Sequence, residues 1–343
     1  MSRRQQRIIT STLITAVTLL ILGLYLMPLA YGFVTSLKTK AQASEANAPI
    51  LPMDTITFEY EGKGYDLYEV PTDSGLQEWA LVKKGREASS FIDPQNLEAG
   101  PQEWTGRWRT LEPVRQSAPQ WNNNPVAFAK IDFIKLLNNT LFYAILSTIG
   151  TVAASAVVAY GFARFDFPWR DTLFMIVIAT IILPPQVTLV PLYAFFTRIG
   201  WTGTWLPLIV PTFFANAYNI FLLRQYLLTI PRALDEAAMI DGAGPIKIFT
   251  SVILPQAKAA LLAVTLFHFF YAWNDFFGPL VYLAGKADLY PLTVGLAFFN
   301  GVFNSEPQLI QATSFMTLIL PLVLFFLAQR AFIQGVVITG VEK

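Results

Sequence analysis

The chain has 343 residues, of which 54% are hydrophobic and 14% charged, with a mean hydropathy of +0.47. A soluble protein carries about a quarter charged residues, so this composition predicts a polytopic membrane protein. A net charge of +1 argues against a nucleic-acid partner. With no cysteine and a single histidine, His268, the chain offers little for a metal site or a Ser-His-Asp triad, so we expect no metal and no catalytic residue.

The N-terminus places three arginines, Arg3, Arg4 and Arg7, before an apolar run at 8–34. A signal peptide has an apolar core of about 7 to 15 residues, whereas a membrane span needs about 20. The run has no small-residue cleavage pattern at a suitable distance. We therefore assign residues 1–37 to a cytoplasmic N-terminus and a retained first transmembrane helix.

Residues 38–130 are polar and rich in Glu, Asp, Lys, Pro and Gly. Side chains alternate between polar and apolar at 55–61, 65–70 and 78–82, a period typical of short strands, and Gly62-Lys63-Gly64 is the strongest turn signal. The pattern predicts a small β-rich domain outside the membrane, inserted after the first span. It serves either as a scaffold packed on the spans or as a docking surface for a solute-binding partner.

Residues 131–343 predict five further spans, at 133–162, 172–196, 204–226, 252–283 and 312–333. Pro184 and Pro185 predict a kink in the third, because proline lacks the backbone donor of a helix interior. Basic residues concentrate in alternate short loops, which predicts that both termini are cytoplasmic. The predicted fold is an all-α membrane protein of six helices with a β-rich extracytoplasmic insertion.

The segment 231–258 is the densest cluster of acids, helix formers and glycines in the apolar half, and the topology places it in the cytoplasm. Pro231 suits a first helical turn, and Asp235 and Glu236 suit the positive end of a helix. A helix of about three turns is expected, ended by Gly242 and Gly244. An amphipathic helix lying on lipid is the alternative, but such helices display Lys and Arg, and the excess of acid here favours a protein partner.

Within this segment, Glu236-Ala237-Ala238, Asp241-Gly242-Ala243 and Leu254-Pro255 resemble the EAA loop of permease subunits in carbohydrate ABC importers of the maltose type. The resemblance covers 8–37 and 125–343 but not the inserted domain. The family often has proline where this chain has Ala259, a departure at the exit of the loop. Other matching motifs are Asn138-Asn139-Thr140, Tyr160-Gly161-Phe162-Ala163-Arg164, Trp273-Asn274-Asp275-Phe276 and Gln329-Arg330-Ala331-Phe332.

The resemblance implies a type I importer permease in the cell membrane, with a dimer of separate ATPase subunits, a second and different permease, and an extracytoplasmic solute-binding protein as partners. The chain itself would bind no cofactor, because the ATPase binds ATP. Glu236 would contact the ATPase, Ala237 and Ala238 would allow close approach, and Gly242 would set the turn. Pro231, Asp241 and Ala243 complete the predicted coupling residues.

The predicted solute is a sugar or a related polyol. Candidate pathway residues, on the fifth span, offer aromatic faces and polar groups: Phe270, Tyr271, Trp273, Asn274 and Asp275. Alternatively, these aromatics pack between helices and the polar pair satisfies helix ends.

Other functional classes remain as alternatives. One is an ABC permease for a non-sugar solute. A second is a proton-coupled secondary transporter built around Asp275 and His268, although one acid and one histidine are thin support for a relay. A membrane-embedded enzyme and a membrane scaffold are further alternatives. The chain has no phosphate-binding loop of its own, because Gly242-Ala243-Gly244-Pro245 lacks the lysine.

Overall fold

A computed structural model describes residues 3–45, 48–72, 74–297, 299 and 305–337, which fall into two compact units. The first unit lies within 1–127 and 299–315, and the second within 128–298 and 316–343. Each unit is stabilised by its own packing.

The first unit begins with helices α1 (Arg3–Ser36) and α2 (Lys40–Ser44). Its described residues then form seven strands: β1 (Met53–Thr55), β2 (Thr57–Tyr60), β3 (Lys63–Thr72), β4 (Gly75–Lys83), β5 (Ala88–Ile92), β6 (Gln102–Thr105) and β7 (Arg115–Ser117). Strands β2 to β6 form an antiparallel sheet in sequence order, and β1 pairs with β7. The β2–β3 turn falls at Glu61 and Gly62, both at positive φ, one residue earlier than the turn signal predicts.

The sheet buries side chains on both of its faces. Strand β4 shows this, because Trp79 and Leu81 belong to one apolar cluster whereas Ala80 belongs to another. Because both faces are covered, this part of the unit has a core of its own.

Helix α3 (Asn123–Lys130) leads from the first unit to the second. The remaining helices are α4 (Phe133–Arg164), α5 (Arg170–Ala179), α6 (Pro185–Arg198), α7 (Leu206–Ile209), α8 (Ala217–Thr229), α9 (Ala233–Ile240), α10 (Pro245–Ile248), α11 (Leu254–Gln256), α12 (Lys258–Trp273), α13 (Phe277–Tyr282), α14 (Leu292–Ala297) and α15 (Pro307–Val337). Helix α15 begins in the first unit and continues in the second.

Helix α4 is the centre of the second unit and packs against α8 and α12. Its buried positions are rich in small residues, among them Ser147, Ser155, Ala156 and Ala159, which let helices approach closely. A Cβ atom at Gly150 would lie 2.6 Å from Thr212 Oγ1, so this approach requires glycine.

The described residues contain four helical segments long and apolar enough to cross a membrane, and up to six if each of two bent helix pairs is one span. The four are Gln5–Ser36, Phe133–Arg164, Leu206–Thr229 and Pro307–Gln329. They correspond to the predicted first, second, fourth and sixth spans. The segment Leu206–Thr229 is not one regular helix, because a 3-10 turn at Val210–Phe214 separates α7 from α8.

The predicted third span is broken rather than kinked. Segments Arg170–Ile182 and Val187–Arg198 meet at 99°, and Leu183 and Pro184 between them are extended. A residue that precedes proline avoids the helical conformation, and two prolines in tandem place two such residues in succession. The tandem prolines therefore stop one helix, and α6 begins at Pro185.

The predicted fifth span, 252–283, is not one helix. Segments Pro245–Gln256 and Lys258–Trp273 meet at 80°, and α12 ends at Trp273, before α13. Pro255 cannot donate a helical hydrogen bond and crowds the preceding turn, which is a π-turn at Phe249–Ile253. At the C-terminal end of α12, the side-chain amide of Asn274 donates a hydrogen bond to the Phe270 carbonyl at 2.8 Å, which caps the helix.

Candidate functional site

The candidate site is the connection from α8 to α12, which carries the predicted coupling residues. Helix α9 spans eight residues, about two turns rather than the three expected, and begins at Ala233 rather than at Pro231. The Pro231 carbonyl accepts the backbone N–H of Leu234 at 3.2 Å, so the proline lies in the turn that leads into the helix.

The end of α9 is set by glycine. Gly242 has φ +80°, and the backbone N–H groups of Gly242 and Ala243 donate to the carbonyls of Met239 and Ala238 at 3.0 and 2.9 Å. These two bonds form a Schellman motif, which requires the left-handed conformation that glycine adopts without strain. Helix α10 then starts at Pro245, as the sequence predicts.

The two sides of α9 differ in character. Asp235 is buried, whereas Glu236, Ala237 and Asp241 are exposed. Large apolar side chains are also exposed on this connection, with Ile240 of α9 87% and Ile246 of α10 80% accessible. An exposed surface that combines acids with apolar side chains is typical of a site for a protein partner.

The buried side of α9 contacts the end of α4 through an ion pair. Arg164 Nε lies 3.1 Å from Asp235 Oδ2, and the two side chains are 6% and 10% exposed. Arg164 Nη2 also donates to the Ile230 carbonyl at 3.0 Å, just before α9 begins. The pair therefore attaches α9 to the last residue of the long helix α4.

This ion pair is only partly satisfied by hydrogen bonds. The Arg164 Nε–H does not align with the carboxylate, and Asp235 Oδ1 has no hydrogen-bond partner among the residues that the structure describes. A cleft of about 210 Å³ adjoins the pair, lined by Tyr160, Arg164, Phe165, Arg232, Asp235, Glu236, Met239, Pro245 and Ile248. Charge attraction holds the pair together, and the contact has room to rearrange.

The segment Pro245–Gln256, here called the return segment, is also attached to α4. Ile248 and Ile253 are almost fully buried in the apolar cluster formed with α4, α8 and α12. The ring of Phe249 lies 4.7 Å from that of Tyr160, whose hydroxyl reaches the Pro245 carbonyl at 3.4 Å. The whole connection from α9 to α12 is therefore packed onto the helices.

The predicted coupling residues divide into two groups. Ala238 and Ala243 are half-buried and pack against the same apolar cluster. Glu236, Ala237, Asp241 and Gly242 are exposed, and Pro231 is exposed beside them. The structure thus brings all seven together on one short connection.

The candidate pathway residues lie near the end of α12 but in different surroundings. Trp273 is buried in a cluster with Phe133, Leu136 and Leu292, and its ring stacks on Phe269. Tyr271 is exposed, Asn274 is exposed at the helix end, and Phe270 is half-buried.

Asp275 accepts hydrogen bonds from the Tyr143 hydroxyl at 2.9 Å and from the backbone N–H of Gly278 at 3.1 Å. It thus holds the start of α13 against α4. Among the described residues, no group of three or more His, Cys, Asp or Glu side chains could hold a metal ion.

Two features of the structure are missed by the interpretation of the sequence. Asp235 looks like an ordinary first-turn acid, and its pairing with Arg164 joins positions 71 residues apart that only the fold brings together. Asn216, the N-cap residue of α8, and Asn219, on its first turn, line a cleft with His268 and Tyr271. An asparagine within an apolar span is a signal that could have identified this second cleft.

Residues 130–336 match the family described as the binding-protein-dependent transport system inner membrane component. This is about 60% of the chain, and it includes α4, α9 and the return segment.

Two curated relatives are similar to the chain over much of its length. The osmoprotective compounds uptake permease protein GgtD of Synechocystis sp. is 36% identical over 266 residues, which is 77% of this chain and 88% of that protein. The alpha-glucoside transport system permease protein AglG of Rhizobium meliloti is 32% identical over 213 residues, 60% of this chain and 55% of that protein.

A solved structure is similar in fold. It is a chain of a bacterial ABC transporter involved in the import of the acidic polysaccharide alginate, and it aligns with a TM-score of 0.65 over 97% of this chain and 99% of that chain. The sequence identity is 19%, so this likeness concerns the fold.

Proposed function

Because the chain belongs to the family of binding-protein-dependent transport system inner membrane components, we propose that it forms half of the transmembrane path for a sugar or a related polyol in an ATP-driven importer. It is a multi-pass transport component of the inner membrane, and ATP is hydrolysed by a separate ABC ATPase subunit. The observation that carries the proposal is α9, which exposes acids and apolar side chains on one side and is ion-paired to α4 on the other.

Helix α9 couples the ATPase to the membrane helices. Glu236 and Asp241 offer charge, and Met239, Ile240 and Ile246 offer apolar area, to the surface of the ATPase dimer. When the ATPase subunits close on ATP, α9 moves with them. The Arg164–Asp235 pair and the buried isoleucines of the return segment pass that movement to α4, α8 and α12.

Partners and orientation complete the proposal. A second, different permease supplies the other half of the path, and a solute-binding protein delivers the solute. Both termini and α9 are cytoplasmic, and the strands between Met53 and Ser117 lie on the opposite side of the membrane. Basic residues in the short loops support this orientation, as does the need of α9 to reach an ATP-hydrolysing partner.

Sugar is favoured as the solute class because one relative is named for alpha-glucoside transport. Another relative is named for osmoprotective compounds, so a non-sugar solute is the second candidate. The exposed residues Glu236, Met239, Ile240, Asp241 and Ile246 are here called the coupling surface. This surface would contact the ATPase whichever solute is carried.

The proposal is tested by co-purifying the chain with its ATPase and partner permease and measuring ATP hydrolysis with the binding protein and candidate sugars. Glu236→Arg places a positive charge in the acidic surface and is expected to lower ATPase recovery about tenfold or more. Glu98→Arg, an exposed reversal in the first unit, is the control and should leave assembly unchanged. Wild-type chain that recovers no ATPase contradicts the proposal.

A further inference from the structure

A second cleft, of about 270 Å³, opens between α8 and α12 in the second unit. Six residues line it: Asn216, Tyr218, Asn219, Phe267, His268 and Tyr271. None belongs to the coupling surface, and Tyr271 alone is among the pathway residues predicted from sequence.

Asn219 is the unusual member of this lining. It is only 3% exposed, and yet it is one of the residues that line the cleft. The backbone N–H of Asn219 donates a hydrogen bond to Asn216 Oδ1 at 3.1 Å. A carboxamide that lines a cleft offers both donors and an acceptor to a molecule bound there.

Aromatic rings form the rest of the wall. Tyr218 and Phe267 meet edge to face with centroids 6.3 Å apart, and Tyr271 is largely exposed beside the His268 ring at 5.8 Å. His268 Nε2 lies 3.2 Å from Thr151 Oγ1, which fixes the imidazole against α4. Apolar ring faces with a few placed polar groups are typical of small-molecule sites.

The charge of the lining indicates the class of solute. Among the six described residues that form it, none is Asp, Glu, Lys or Arg, and the His268 Nε2 is already engaged by Thr151. An anionic solute would therefore find no arginine or lysine to offset its loss of water. Hydroxyl groups, in contrast, suit both the amide of Asn219 and the tyrosine hydroxyls.

We propose that this cleft is one wall of the solute path and that it selects an uncharged polyhydroxy solute, a neutral sugar or polyol, over an anionic one. Asn219 donates to and accepts from solute hydroxyls, and Tyr271 presents a ring face to the carbon skeleton. This inference rests on the proposed function and specifies its solute.

The test uses the complete importer, with its ATPase, partner permease and binding protein, in proteoliposomes. Uptake of labelled maltose, sucrose, trehalose and sorbitol is compared with uptake of sn-glycerol 3-phosphate and galacturonate. Asn219→Leu keeps the size of the side chain and removes its amide. We expect it to lower the initial uptake rate of the transported neutral solute about tenfold at low solute concentration, because a hydrogen bond is lost.

Two further variants separate a solute contact from a folding defect. Thr148→Val removes a buried hydroxyl that lacks a partner among the described residues and does not line the cleft, so uptake should stay within about twofold of wild type. Tyr271→Ala shortens an exposed side chain and should lower uptake about fivefold while the recovery of the assembled importer is unchanged.

Transport of an anionic solute in preference to the neutral ones overturns the inference, and so does normal uptake by Asn219→Leu. An assembled, ATP-hydrolysing complex that carries none of the four neutral solutes also counts against it. A wild-type chain that recovers no ATPase shows instead that the proposed function is wrong, and the inference then falls with it.

Discussion

At the scale of single residues, the ion pair between Arg164 and Asp235 is the contact on which the coupling account depends. Both side chains are nearly buried, so each charge relies on the other for compensation. A buried pair of this kind adds little net stability over apolar residues, but removing one partner leaves an uncompensated charge. The contact is therefore sensitive to single substitutions and tolerant of a paired one.

We expect Asp235→Asn and Arg164→Met, each alone, to destabilise the chain by about 3–5 kcal/mol and to uncouple ATP hydrolysis from transport. The double variant Arg164→Met with Asp235→Leu should recover most of the thermal stability but not the coupling. Thermal unfolding of the purified chain and binding-protein-stimulated ATP hydrolysis measure the two effects.

The exposed pair of Lys135 and Asp288 is the matched control for this experiment. Lys135 lowers the pKa of the Asp288 carboxyl, so the pair contributes its full stability above the ordinary pKa of an aspartate, and that contribution is lost as pH falls through the lowered pKa. Because both groups are solvated, Lys135→Met should shift the melting temperature far less than Arg164→Met. Equal shifts would contradict the role assigned to burial.

At the scale of elements, α9 depends on its C-terminal turn. In Gly242→Ala the added Cβ meets no other atom, but alanine must adopt the left-handed conformation of Gly242. We therefore expect the free energy of unfolding to fall by about 1 kcal/mol and the recovery of the ATPase to weaken. Gly244→Ala is the control, since Gly244 has φ −76° and open surroundings. Co-purification of both variants measures the effect, and equal recovery would show that the Schellman turn does not position α9.

How far the elements could be predicted depends on whether the decisive interactions are local. Gly242 and Pro245 fix the end of α9 and the start of α10 through their own backbone preferences, and the sequence predicts both correctly. The sequence does not predict how sharply the third and fifth spans are broken. Hydropathy is continuous over 172–196 and 252–283, whereas the prolines within these segments interrupt the helix. A window average records apolar content and misses a bend of 99° or 80°.

The candidate site was predictable to the same extent. The exposed residues predicted to contact the ATPase lie together in sequence, so a single stretch contains all of them. Asp235 with Arg164, and Asn219 with His268, are joined by helix packing between distant segments, which a single sequence does not report.

At the scale of the whole molecule, the account requires the strands of the first unit and α9 to lie on opposite sides of the membrane. The chain has no cysteine, so single cysteines report position without background. In intact cells, an impermeant maleimide should label Glu98→Cys, whereas Lys247→Cys should be labelled only after the cells are opened. Labelling of Lys247→Cys in intact cells would reverse the proposed orientation.

The central claim is that α9 docks on an ATPase, and site-specific photocrosslinking from Ile240 tests it most directly. This side chain is 87% exposed on the coupling surface, and a benzophenone amino acid in its place reacts only with molecules in direct contact with it. Tyr25, exposed on α1 within a candidate span, is the control position. The account predicts a crosslink from position 240 to an ABC ATPase subunit and none from position 25. Efficient crosslinking of position 240 to lipid alone would contradict it.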